Sequence, residues 1–79
     1  MKPADNYLRF VKWSDDDQCY IGYCPDLFLG GVCHGEVEVD TYAVLCGIIS
    51  DEIEHRIAKG EVLPKSTVRA TRDLDFAAA

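Results

Sequence analysis

Apolar residues along this chain change their spacing once, and the change divides it into a sheet-forming half and a helical half. Tyr7 to Trp13 (Tyr-Leu-Arg-Phe-Val-Lys-Trp) is rich in aromatic and β-branched residues and predicts a strand. Ser14-Asp15-Asp16-Asp17-Gln18 is a polar run suited to a hairpin turn. Cys19 to Cys24 predicts a second strand, stopped by Pro25, which cannot donate to a ladder. Leu27 to Leu29 and the pair Gly30-Gly31 form a bend, and Gly31 to His34 predicts a short third strand. Both phases of the first two strands carry apolar side chains. A sheet covered on one face only should alternate more cleanly. Either a twisted hairpin with large aromatics or a second face that meets another subunit explains this.

From about Val37 to Lys59 the spacing becomes helical. Val39, Tyr42, Leu45, Cys46, Ile49, Ile53 and Ile57 recur at three- and four-residue steps, which places them on one helix face. Glu36, Glu38 and Asp40 suit the positive end of the helix dipole, and Arg56 and Lys59 the negative end. Gly60 fits the left-handed position just past the helix, with Pro64 beyond it. Ser66 to Phe76 could add a strand, centred on Thr67-Val68-Arg69-Ala70-Thr71. The sequence contains no internal repeat and no linker, so residues 1–79 are expected to form a single domain.

At 79 residues and 8.8 kDa the stability of such a domain is marginal. Apolar burial contributes on the order of 120 kcal/mol by surface scaling. Ordering the chain costs about the same. A staple or a second subunit is therefore expected. Fourteen acidic against eight basic residues give a net charge of −6. That balance repels a phosphate backbone and disfavours direct nucleic-acid binding, whereas a basic protein partner is favoured. The longest apolar run, Tyr42 to Ile49, is too short to span a bilayer, and Met1-Lys2-Pro3-Ala4-Asp5 has no signal core behind it. A cytoplasmic chain without membrane contact is expected.

Four cysteines raise the question of metal or disulfides. Cys19 and Cys24 just fit one zinc knuckle, but Cys33 and Cys46 form no second one, and no secretory signal supplies an oxidising compartment. They are read as free thiols, with no metal and no cofactor. Catalysis finds equally little support. Asp26 with Asp51 or Glu52 are the carboxylates nearest a sheet–helix junction, and the Asp15–Asp17 side chains diverge from a turn. Cys33 and His34 are adjacent strand residues, so they point to opposite faces. His55 falls on an acidic, exposed helix face. The expected protein is not an enzyme, with a metal- or thiol-dependent hydrolase remnant as the alternative.

Two acidic groups remain as candidate docking faces for a basic protein: Asp15, Asp16 and Asp17 at the hairpin tip, and Glu36, Glu38 and Asp40 at the helix start. Charge runs also commonly face only water. Pro25, Asp26, Gly30, Gly31 and Gly35 read as turn chemistry, with Asp26 forming an Asx-turn and the glycines allowing positive φ.

Taken in order, Tyr20-Ile21-Gly22-Tyr23-Cys24-Pro25-Asp26-Leu27, Gly30-Gly31-Val32-Cys33-His34-Gly35, an acidic helix start and the exit Gly60-Glu61-Val62-Leu63-Pro64 resemble the HicB-like antitoxin domain of bacteria and archaea. Trp13-Ser14-Asp15-Asp16-Asp17 looks like that family's first hairpin, and the resemblance covers Tyr7 to Ser66. It implies a partial RNase H-like α+β fold, β-β-β-α-β, with an antiparallel sheet packed on one long helix and no nuclease activity. It also implies a homodimer or tetramer that binds HicA, a small basic messenger-RNA-cleaving toxin, and covers its catalytic histidine. The sequence departs from the family where Phe28-Leu29-Gly30-Gly31 replaces the common Pro-Gly-Cys. Family members often continue into a promoter-binding domain, and this chain ends before one, so promoter binding by this chain alone is not expected. A stand-alone relative with another regulatory role is the alternative.

Overall fold

The computed structural model describes residues 3–67. A 3-10 turn, Pro3–Asn6, precedes strands β1 (Phe10–Ser14), β2 (Cys19–Tyr23) and β3 (Gly31–Gly35) and one helix, α1 (Glu38–Ala58). The strands form an antiparallel sheet in the order β1-β2-β3. With α1 packed across one face, the fold is α+β. The expected strand at Thr67–Thr71 lies, beyond Thr67, outside the described residues.

Register decides which side chains meet the helix. Val11 pairs with Gly22 and Gly22 with Cys33, so these three form one cross-strand row. Leu45 of α1 stands directly over that row: a Cβ on Gly22 would lie 2.9 Å from the Cys33 Sγ and 3.2 Å from Leu45. By alternation Trp13, Tyr20 and Gly35 share the helix face. Phe10, Lys12, Ile21, Tyr23 and His34 belong to the open face, where Phe10 and Tyr23 stack with centroids 5.0 Å apart.

The core is small. Ala4, Tyr7, Cys24, Leu27, Leu45, Ile49 and Ile53 are buried, with Val11, Phe28, Val32, Cys33 and Leu63 packed around them. Tyr7 is therefore a core residue and not the start of a strand. The 3-10 turn folds back on it through the Tyr7 N–H bonded to the Ala4 carbonyl, so β1 begins only at Phe10. The Tyr7 hydroxyl donates to the Pro64 carbonyl and holds the segment after the helix against the core.

The buried helix stripe is Thr41, Leu45, Ile49 and Ile53, which corrects the apolar stripe expected from spacing. Val39 (75% exposed), Tyr42 (44%) and Ile57 (53%) face outward. They lie on a flank that overhangs β1, an outer strand of the sheet among the described residues. Val39 and Tyr42 look onto β1, and Ile57 onto the 3-10 turn. Past the helix, the Gly60 N–H bonds to the Ile57 carbonyl and the Glu61 N–H to the Arg56 carbonyl. With Gly60 at φ +75°, these bonds complete a Schellman ending.

Candidate protein-interaction surface

Both acidic groups lie at one end of the molecule. The β1–β2 turn follows the Ser14–Cys19 pair, and Tyr20 pairs with Gly35, so Glu36 leaves the sheet beside that turn. The helix starts at the same end, which brings Asp15, Asp16, Asp17, Glu36, Glu38 and Asp40 together there, all exposed. At the other end, where the helix stops, Arg56 is paired with Glu52 and Lys59 with Glu61, whereas Arg9 lines the same hollow as Glu38. A 21-residue helix spans roughly 30 Å, so the two ends are several screening lengths apart.

The hairpin tip is internally braced. The Ser14 hydroxyl donates to the Asp17 carboxylate (2.9 Å), the Asp17 N–H donates back to that hydroxyl (3.2 Å), and the Gln18 amide donates to the Asp15 carbonyl (2.6 Å). Gln18 closes the turn with a left-handed φ of 54°. The Trp13 indole N–H donates to Asp15 (2.8 Å) and its ring meets Tyr20 edge-on at 5.0 Å. Asp15 and Asp17 thus shape the tip as well as charging it.

Trp13, Val37, Val39 and Tyr42 add apolar surface to this end, each more than 40% exposed. A hollow of about 450 Å³ opens between β1 and the start of α1, lined by Arg9, Phe10, Val11, Glu38, Val39 and Tyr42. Exposed aromatics rimmed by charge have the composition of a protein interface. Sequence spacing missed this feature because it assigned Val39 and Tyr42 to the core.

The turn residues behave differently from one another. Gly30 has φ +70° and needs glycine for that reason, whereas Gly31 and Gly35 do not adopt positive φ. Gly35 lies under the helix, where a Cβ would stand 2.4 Å from the Thr41 hydroxyl, and a Cβ on Gly31 would meet Ile21 at 2.8 Å. These two are glycines for close approach, which corrects their reading as turn formers. The Pro25–Leu27 turn is closed by the Leu27 and Phe28 N–H groups bonding to the Cys24 carbonyl. Asp26 instead reaches across the chain, accepting from the Thr67 N–H (2.9 Å) and hydroxyl (2.6 Å). Those two bonds hold its carboxyl below the usual range.

The four cysteines are free thiols. Burial pushes the Cys24 and Cys33 thiols up, which keeps both protonated and weakly nucleophilic at neutral pH. Cys33 points at the helix, its thiol 3.8 Å from the Thr41 carbonyl, while His34 pairs with Ile21 on the opposite face. The two side chains cannot act as a dyad. Among the described residues no three His, Cys, Asp or Glu side chains gather as a metal site, and no helix is long and apolar enough to cross a membrane. No family model, no curated protein and no solved structure matches the chain.

Proposed function

We propose that this chain is a HicB-like, antitoxin-type binding module that docks on a small, basic, RNA-cleaving protein and occludes its active site. The observation that carries the reading is the gathering of six carboxylates from the hairpin and the helix start at one end, beside Trp13, Val37, Val39 and Tyr42. Occlusion needs a surface of roughly 800 Å² per partner and no catalytic group. The carboxylates speed encounter with a cationic partner, and the aromatics supply contact area that excludes water. In this reading the protein is cytoplasmic, self-associating as a homodimer or tetramer, and carries no enzymatic activity of its own.

Purifying the intact chain from its own cells, identifying the bound protein by mass spectrometry and assaying that protein for RNA cleavage tests the reading. The expected result is a lysine- and arginine-rich companion whose cleavage of messenger RNA is suppressed in the complex and restored on separation. Replacing Glu36, Glu38 and Asp40 by lysine should release it. Magnesium-dependent cleavage by the chain alone, or a companion that binds the lysine variant equally well, overturns the proposal.

A further inference from the structure

We propose that residues 62–67 form a strap with two coupled latches, Tyr7 at Pro64 and Asp26 at Thr67, and that the Tyr7 end of the core opens by their joint release. The Gly60 and Glu61 N–H groups stay bonded to the last turn of α1, so the strap begins at Val62, which is 93% exposed. From there to Thr67 the backbone belongs to no helix or strand. Side chains from other elements hold it instead. The Tyr7 hydroxyl donates to the Pro64 carbonyl, and the Asp26 carboxylate accepts from the Thr67 N–H and hydroxyl. Between the helix and these latches, Leu63 packs on the core.

Two features make the latches act as one. Tyr7 is 6% exposed, so its hydroxyl has little water to turn to when Pro64 leaves, and an unpaired buried donor costs the desolvation of the group. The strap is therefore favoured fully seated or lifted, not half-released. The latch points are also close in sequence, and proline fixes φ at one of them. While Thr67 is held, Pro64 is confined near the Tyr7 hydroxyl. Once Thr67 is free, the same contact must be closed against the freedom of the segment. Each latch thus raises the effective concentration of the other, and the coupling is reciprocal. Tyr7 stands between the 3-10 turn and β1, and Asp26 between β2 and β3, so the strap bridges two separate parts of the chain. Lifting it uncovers Tyr7 and Leu63, while Leu45 and Ile49, fully buried, stay packed.

Hydrogen exchange and tyrosine nitration on the full-length chain test the coupling. Tyr7→Phe keeps the ring and removes one hydroxyl. It should speed exchange at the Thr67 amide, which is bonded to Asp26 and not to Tyr7, about two- to tenfold, the usual contribution of one hydrogen bond. Asp26→Ala should in turn raise nitration of Tyr7 by tetranitromethane by at least a similar factor, read by peptide mapping against Tyr20. The Leu45 and Ile49 amides should keep their protection in both variants. Thr67 exchange unchanged in Tyr7→Phe, or Tyr7 nitration unchanged in Asp26→Ala, makes the latches independent and overturns the proposal. Loss of protection at Leu45 and Ile49 equal to that at Thr67 also overturns it, because the whole domain is then opening.

Discussion

A methyl group at Gly35 would sit 2.4 Å from the Thr41 hydroxyl and 3.6 Å from its Cβ, so the clash is almost entirely with one oxygen. Thr41 cannot swing away easily. It is 2% exposed, and its hydroxyl donates to the Val37 carbonyl at 2.7 Å, one turn back in the chain. Gly35→Ala should therefore cost about 1–3 kcal/mol, the usual range for overpacking a fixed site. Thermal unfolding should fall by several degrees. Adding Thr41→Ala removes the obstructing oxygen, and the double variant should be more stable than the sum of the two losses predicts. Strict additivity in that cycle would mean the glycine is there for another reason. Residues such as Gly35, Gly22 and Thr41 were not readable as a set, because close approach between a strand glycine and a helix threonine is a tertiary fact with no local pattern. Gly30 and Gly60 were readable as bend and helix exit, since positive φ leaves a local signature.

Elements were more legible than the surfaces between them. Three short strands and a long helix follow from the switch of apolar spacing, and the polar Ser14–Gln18 run marks its turn. What spacing could not show is where the helix sits over a sheet only three strands wide. Val39, Tyr42 and Ile57 satisfy the helical repeat, yet they overhang β1 and the 3-10 turn because no further described strand lies under them. The contact between Asp26 and Thr67, 41 residues apart, was equally invisible; it ties the segment after α1 to the turn after β2. Since this carboxyl is held below its ordinary value, the folded state prefers it ionised. Its contribution is present in full above the unfolded pKa near 3.8 and is lost as pH falls through the lower folded value. Asp26→Asn should therefore narrow its stability gap to the parent as pH drops below about 4. Faster exchange of the Thr67 amide in Asp26→Asn at neutral pH would report the same tether, and unchanged exchange would count against it.

For the whole molecule, the net charge of −6 matters less than its distribution. Six carboxylates gather where the helix begins, whereas towards the far end Arg56 and Lys59 are paired with Glu52 and Glu61. Between about 0.1 M and about 1 M salt the screening length falls from ~10 Å to ~3 Å, so an approaching cationic protein loses the long-range pull of the acidic end. Its association rate should drop at least about tenfold across that range, while dissociation changes less. Stopped-flow association measured across that salt series checks this. A rate indifferent to salt would remove the acidic end from the docking role, because a surface that works by electrostatic attraction must respond to screening.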